Sequence, residues 1–226
     1  MTPAPDRPRL DRAFLARPEL EVAPDLLGCT IWHGSVGIRL TEVEAYAGAR
    51  DPGSHSYRGR TPRNAVMFGP AGHLYCYFTY GMHHCLNVVC GPEGESSAVL
   101  LRAGEVVSGE ALVRERRSGT KGPPAFRDLA RGPARLCRAL GLDLAADGTD
   151  LCAPGAPVWL EPGPDRGSGG DRREGNGADR IRTGPRVGLR GPGGDGTAYP
   201  WRFWLADEPT VSPYRPAAPP RRRTGH

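Results

Sequence analysis

A single domain of mixed α and β structure is the fold class predicted for this chain of 226 residues. Three observations predict it. The length suffices for one well-buried core, or at most two small ones. Apolar residues recur at near-helical spacing between Leu10 and Leu27, the periodicity of helix. An alternating run from Val36 to Tyr46 is followed by two apolar runs joined through Tyr80-Gly81-Met82-His83, a pattern of strands and a hairpin turn. No internal repeat is visible.

Each element follows in chain order. Residues 1–9 are polar and proline-rich and read as a disordered N-terminus; residues 10–212 read as the folded domain. Leu10, Phe14, Leu15, Leu20, Val22, Leu26 and Leu27 carry the helical spacing, and Pro18 and Pro24 divide it into two short helices, with Gly28 placed to cap the second. Along Val36–Tyr46, Val36, Ile38 and Leu40 have the same parity as Glu42, Glu44 and Tyr46. An apolar face is therefore expected to run on into two carboxylates and an aromatic. Carboxylates on such a face are costly unless they end the strand or perform a task. Residues 47–72 form a long Gly-, Pro-, Arg- and Ser-rich loop, of a length more often functional than decorative.

Leu74–Thr79 and Cys85–Cys90 are expected strands, as is Ala98–Ala103. Gly104–Arg117 and Gly132–Leu140 are expected helices, with Pro133 suited to a first helical turn. Val158–Leu160, Arg186–Leu189 and Trp201–Leu205 are expected late strands. Residues 162–180, dominated by Gly, Asp and Arg, read as a disordered insertion. Residues 213–226, with Arg221-Arg222-Arg223, read as a basic tail that either adds phosphate affinity or is simply solvated.

The net charge of +5 and isoelectric point of about 9.1 favour an anionic partner without proving one. Lys121 is the only lysine, so the positive charge is almost all arginine, the better bidentate phosphate ligand; arginine abundance equally reflects genome base composition. Met1–Leu10 holds no apolar core of a signal peptide, and no apolar run approaches a membrane span. The six cysteines form no CxxC pair and read as reduced, buried thiols. The chain is therefore expected to be cytoplasmic, nucleoid-associated if bacterial, with no membrane partner. Metal is not expected: His83 and His84 are adjacent and point apart on an extended chain, and neither HExxH nor zinc spacing occurs.

The residues between Thr41 and Arg102 carry the chemistry. Hydrolysis of an N-glycosidic bond needs water delivered to C1′ and negative charge beside the cationic sugar that develops there. Glu44 is the leading carboxylate for both; the alternative is a strand-end glutamate paired with an arginine. Tyr46, His55 and Tyr77 could hold an extruded base by stacking, and electron-rich rings attract cationic alkylated purines. Taken alone, the aromatics of Tyr75-Cys76-Tyr77-Phe78 read equally as ordinary strand residues. Tyr80, at the hairpin tip, could fill the hole that an extruded base leaves in a duplex. Arg58, Arg60 and Arg63, beside Thr61 and Asn64, suit phosphate contacts, or a solvated loop. A lyase needs an amine, and Lys121 lies outside this region, so a water nucleophile fits better.

In this order, Glu42-Val43-Glu44-Ala45-Tyr46, Thr61-Pro62-Arg63-Asn64, Tyr80-Gly81-Met82 and Leu100-Leu101-Arg102 resemble the alkyladenine (3-methyladenine, or methylpurine) DNA glycosylases. The resemblance runs from about Leu10 to about Ser212, with residues 162–180 as a departure. It implies a single domain around a curved, largely antiparallel sheet flanked by helices, acting on double-stranded DNA without metal or cofactor; a monomer is the default expectation for one domain acting on DNA. It also implies roles. Glu44 would activate water, with Arg102 and the Val187 carbonyl as further water ligands. Tyr46, His55 and Tyr77 would sandwich the base, the His55 N–H donating to the purine 6-position. Asn87 would crowd an exocyclic 2-amino group. Tyr80 would be the intercalating wedge, and Arg60, Thr61 and Arg63 would meet the DNA backbone. The reading is a monofunctional glycosylase for alkylated or deaminated purines. A lesion-binding module without chemistry needs neither Glu44 nor Arg102, and a nucleoside hydrolase does not need Tyr80.

Overall fold

The computed structural model describes residues 7–79, 81–120, 122, 124–164 and 180–217. Tyr80, Lys121, most of the expected insertion and Arg221–Arg223 lie outside the described residues. Two short helices, α1 (Arg12–Leu15) and α2 (Glu19–Leu26), open the fold. The Asp11 carboxylate caps α1 by accepting from the Phe14 N–H at 2.8 Å. Leu27 ends α2, and Gly28 follows at φ 85°, where lack of a Cβ lets the chain turn back. Arg7 and Arg9 fall in the stretch expected to be disordered; their guanidiniums lie over Trp32 and Trp159, 4.1 and 4.7 Å from the ring centroids.

The remaining strands are β1 (Thr30–His33), β2 (Val36–Tyr46), β3 (Leu74–Thr79), β4 (His83–Val89), β5 (Ala98–Ser108), β6 (Val158–Glu161), β7 (Ile181–Gly184) and β8 (Arg202–Leu205). They form one antiparallel sheet in the order β3-β4-β5-β2-β1-β6. β8 pairs with the far half of β2, at Glu42–Glu44, and β7 pairs with β8. β2 is thus the spine. One edge pairs with β5 along its length, while β1 and β8 share the other. Helices α3 (Glu110–Arg117) and α4 (Pro133–Leu140) complete the domain. Ile38, Leu40, Leu101, Leu136 and Leu140 sit fully buried in the main core with α2 residues Val22 and Leu26.

Several expectations need correction. The strand at Ala98 does not yield to a helix at Gly104; β5 runs on to Ser108 because the first half of β2 supplies it with a partner. The helix begins only after Gly109, at φ 74°. Arg186–Leu189 is a loop, and the strand of that region is Ile181–Gly184. β1 was not foreseen. At four residues it is too short for alternation to be distinctive. Residues 47–72 contain two 3-10 turns, Gly48–Arg50 and Pro62–Phe68.

The most consequential correction concerns the two faces of β2. Pairing with β5 passes over Thr41 on β2 and Arg102 on β5, since Leu40 pairs with Gly104, Glu42 with Ala103 and Val43 with Leu101. These are compensating one-residue bulges. A one-residue slip exchanges the faces of a strand. The core-facing series is therefore Val36, Ile38, Leu40 and then Val43, Ala45. Glu42, Glu44 and Tyr46 leave the apolar core and turn to the other side of the sheet. Arg102 is the extra residue of its bulge, and bulges recur beside functional sites because they re-aim a side chain.

Gly104 permits a close β2–β5 approach, because a Cβ there would overlap the Arg39 carbonyl oxygen and Ile38. We predict that Gly104→Ala destabilises the fold by about 1–3 kcal/mol, read from the urea midpoint; an unchanged midpoint would mean that the strands can part at this position without cost.

Candidate active site

Beyond the bulge, Glu42 and Glu44 are both completely buried. A buried carboxylate must be paired and hydrogen-bonded, and both are. Glu42 Oε1 accepts from Arg102 Nε at 2.7 Å, Arg202 Nε at 2.8 Å and the Ser212 hydroxyl at 2.9 Å. Its Oε2 accepts from the Ser212 N–H at 2.7 Å. Burial alone would raise the pKa of Glu42, but the Arg102 and Arg202 charges outweigh it and hold the carboxyl below its ordinary value.

Glu44 lies one step further along β2. Its Oε1 accepts from the Val187 N–H at 2.7 Å and lies 3.2 Å from an Arg102 terminal nitrogen. Its Oε2 accepts from the Tyr46 hydroxyl at 2.8 Å. Arg102 thus bridges the two glutamates. Burial disfavours its charge, yet Glu44 and Glu42 more than offset this and raise its pKa, so it is cationic at every accessible pH. Burial, then the Glu44 charge, raises the Tyr46 pKa well above the ordinary value, which keeps this phenol a donor. Through Val187 the sequence expectation concerned the carbonyl; the contact the fold makes with Glu44 is through the N–H.

Tyr46, Arg102 and Val187 also line a cavity of about 260 Å³, together with His55, Tyr77 and Asn87. The fold therefore gathers seven of the expected catalytic and base-binding residues in one place: six line the cavity, and Glu44 lies behind three of them. Tyr75 and Tyr77 stack at 5.5 Å, and His55 stands edge-on to Tyr77 at 4.6 Å. His55 Nδ1 shares a 3.2 Å hydrogen bond with the Tyr75 hydroxyl. His55 is exposed at the rim, yet the crowding on its inner side, with the Arg63 charge, lowers its pKa, favouring a neutral imidazole. Asn87 faces Tyr75 across β3 and β4 and donates Nδ2 to the Tyr75 carbonyl at 3.2 Å.

The loop that brings His55 to this site is pinned from beneath. Asn64 Nδ2 donates to the His55 and Gly59 carbonyls, both at 3.1 Å. Asn64 also forms a reciprocal cap with Thr61 at the start of the 62–68 turn. Ser54, Ser56 and Ser96 join their hydroxyls in a chain, at 2.9 and 2.5 Å. Among the described residues no acceptor meets the His55 N–H. Of the residues expected at the DNA backbone, Thr61 serves as this cap. Arg63 donates to the Phe78 carbonyl at 3.1 Å and lies 6.0 Å from the Tyr77 ring. Arg60 is exposed beside them. Tyr80, the expected wedge, lies outside the described residues.

The geometry meets the sequence of known proteins here. The family model described as methylpurine-DNA glycosylase matches residues 13–209. The chain belongs to that family. It is 55% identical over 229 residues to a protein of Streptomyces avermitilis, covering 99% of this chain and 100% of that one. A Frankia casuarinae protein is 54% identical over 208 residues, covering 92% and 94%. A Leifsonia xyli protein is 53% identical over 209 residues, covering 90% and 91%. Each carries the name "Putative 3-methyladenine DNA glycosylase". Among the described residues no helix is long and apolar enough to cross a membrane.

Membership in a glycosylase family does not by itself name the residues that hold the site together, and sequence reasoning missed two of them. Arg186 and Asp51 form a bidentate pair, both fully buried at their side chains. Arg186 also donates to the carbonyls of Ala45 and Gly193, at 3.0 and 2.9 Å, and lies 4.6 Å from the Tyr46 ring. It therefore anchors the loop whose next residue, Val187, holds Glu44. Asp51 sits in the 47–72 loop, and 135 residues separate the partners; no local pattern could pair them. Glu42 stood in view beside Glu44, but only the bulged pairing reveals it as the anchor of Arg102.

A carboxyl whose native pKa is depressed stabilises the fold above its unfolded pKa, and that contribution fades as pH falls through the native value. For Glu42 the fall begins below the ordinary value of 4.5. We predict that the unfolding free energy from urea titrations declines as acid crosses this point. Glu42→Gln should start about 3–5 kcal/mol lower, because Arg102 and Arg202 lose their partner, and should show a shallower acid decline. An acid slope identical to wild type would assign the effect to other groups.

Proposed function

We propose that this chain is a monofunctional DNA glycosylase that takes a damaged purine out of the duplex into the cavity beside Glu44. There it would hydrolyse the N-glycosidic bond with water, leaving an abasic site. The observation that carries this reading is the Glu44 carboxylate itself, held by the Val187 N–H, the Arg102 guanidinium and the Tyr46 hydroxyl, all three of which line the aromatic cavity. A general base positioned in this way contributes about 10²–10⁴-fold.

In the proposed reaction Glu44 takes a proton from water as the water oxygen bonds to C1′. The C1′–N bond breaks, and its electron pair leaves with the purine. Negative charge at Glu44 stabilises the oxocarbenium-like sugar. A cationic alkylated purine departs as a neutral base. Hypoxanthine and other deaminated purines are neutral and need a proton to depart, so they would be slower substrates. Tyr46, His55 and Tyr77 would sandwich the extruded base. The neutral imidazole and phenol rings suit a cationic purine, and the free His55 N–H suits an acceptor at the purine 6-position. Asn87, fixed by Tyr75, would exclude an exocyclic 2-amino group. Tyr80 would fill the vacated stack, and Arg60, Thr61 and Arg63 would meet phosphates. No metal or cofactor enters this scheme, and one copy of the domain suffices.

The test is single-turnover excision on duplex oligonucleotides bearing one 3-methyladenine analogue, ethenoadenine or hypoxanthine. Strand breaks should appear only after alkali. Glu44→Gln should lose at least about 10²-fold in excision rate while still binding damaged duplex. Turnover near wild type in that variant would remove Glu44 from the chemistry, and breaks without alkali would replace hydrolysis with a lyase route.

A further inference from the structure

Two loops far apart in the chain contribute to the lining of the base cavity. Gly53, Ser54 and His55 come from the loop after β2, and Val187, Gly188 and Leu189 from the loop after β7. Neither stretch is strand or helix, so no backbone ladder sets its position. A buried contact between the two does. Asp51 accepts from the Ala47 and Gly53 N–H groups at 3.3 and 2.8 Å, which closes the first loop on itself. The same carboxylate takes both terminal nitrogens of Arg186 from the second loop. The loops also meet through glycine. A Cβ on Gly53 would stand 2.7 Å from an Arg186 terminal nitrogen and from the Leu189 side chain, and a Cβ on Gly193 would overlap the Gly53 nitrogen.

The Arg186 fork is fully engaged. Each terminal nitrogen donates once to Asp51 and once to a carbonyl, that of Ala45 or of Gly193. Only a planar guanidinium can present donors in this arrangement. Its Nε is buried without a hydrogen-bond partner among the described residues. The rings of Tyr46, Trp201 and Tyr199 surround the group instead, at 4.6, 5.3 and 5.7 Å, and their faces favour a cation. A buried ion pair is a poor route to stability, because desolvation consumes much of the attraction. What this pair secures is one relative placement of two irregular loops.

We infer that Asp51 and Arg186 are positioning residues that join the His55 and Val187 segments into one wall, so that the resting place of the extruded base and the orientation of Glu44 are set together. The inference rests on the function proposed above. Neither side chain lines the cavity, so both act through others. Arg186 acts through Val187, whose N–H holds one Glu44 oxygen, and through Tyr46, whose hydroxyl holds the other. Asp51 acts through Gly53 and the backbone leading to His55. A displacement of about 1 Å at a reacting group costs on the order of 10²-fold in rate, so a wall that slips should slow the chemical step even where the lesion still binds.

The experiment is single-turnover excision of ethenoadenine from duplex DNA by the full chain, with enzyme in excess and its concentration varied. This separates the maximal rate constant from the half-saturating concentration. Arg186→Lys keeps a cation beside Asp51 but loses the fork, and its maximal rate constant should fall at least about 10-fold. A merely structural role would reduce the active fraction, raising the apparent half-saturating concentration and leaving the maximal rate constant unchanged. Asp51→Asn should fall similarly. The double variant should lie within about 2-fold of the slower single one, because the two residues form one device. Gly53→Ala keeps both charges and wedges the loops apart, so it covers a charge variant that does not fold; its maximal rate constant should fall too. Wild-type rate constants in Arg186→Lys and Gly53→Ala would overturn the inference and leave the proposed function standing. Losses that multiply in the double variant would also overturn it. Wild-type protein that excises nothing, or Glu44→Gln with full turnover, would sink the proposed function and the inference with it.

Discussion

Everything at the site depends on one buried carboxylate, that of Glu42. Four donors converge on it, from Arg102 on β5, Arg202 on β8 and both the amide and hydroxyl of Ser212. These groups come from three different parts of the chain. Desolvating such a carboxylate is costly, and its attraction to the guanidiniums offsets that cost only if the geometry is right. The arrangement therefore selects one relative placement of β2, β5, β8 and the segment after β8. That placement aims Arg102 at Glu44, at the wall of the cavity.

A second buried pair works in parallel. Arg186 and Asp51 join the loop after β7 to the loop after β2, and Arg186 also supports the Tyr46 ring. Glu44 is thus gripped from two sides. Arg102 arrives through Glu42, while the Val187 N–H and the Tyr46 hydroxyl arrive through Arg186. A carboxylate oriented this way needs little reorganisation when charge develops nearby, which is the physical content of a preorganised site. The rim of the cavity is built differently, from Asn64 and a chain of serine hydroxyls. Neutral hydrogen bonds suffice there because only the position of the His55 segment has to be set.

Much of the molecule was legible from local pattern. The boundaries of β2 and β3, the two opening helices and the Pro133 start of α4 follow from alternation, helical spacing and proline chemistry, all of which act within a few residues. Pro18 does mark a helix start, but Pro24, expected to punctuate as well, lies inside α2. Glu44, Tyr46, His55 and Tyr77 stood out as residue types suited to excising a base, and the fold places them together. What escaped were features with a partner far away. β1 is too short to announce itself. The helix expected at Gly104 gives way to strand because β2 provides a neighbour, an instance of tertiary pairing overriding local reading.

The sequence by itself determined the kinds of element, their order and the chemical vocabulary of the site, because these depend on side-chain type and near-neighbour spacing. Tertiary structure decided which face each carboxylate occupies. Two one-residue bulges, at Thr41 and Arg102, turn Glu42 and Glu44 out of the apolar core and into a polar network. Strand parity cannot reveal such a slip, since it exists only in the pairing of two strands about 60 residues apart. The pairings of Arg186 with Asp51 and of Glu42 with Arg202 and Ser212 are likewise products of the closed fold, where burial forces each charge to find a partner that no nearby residue supplies.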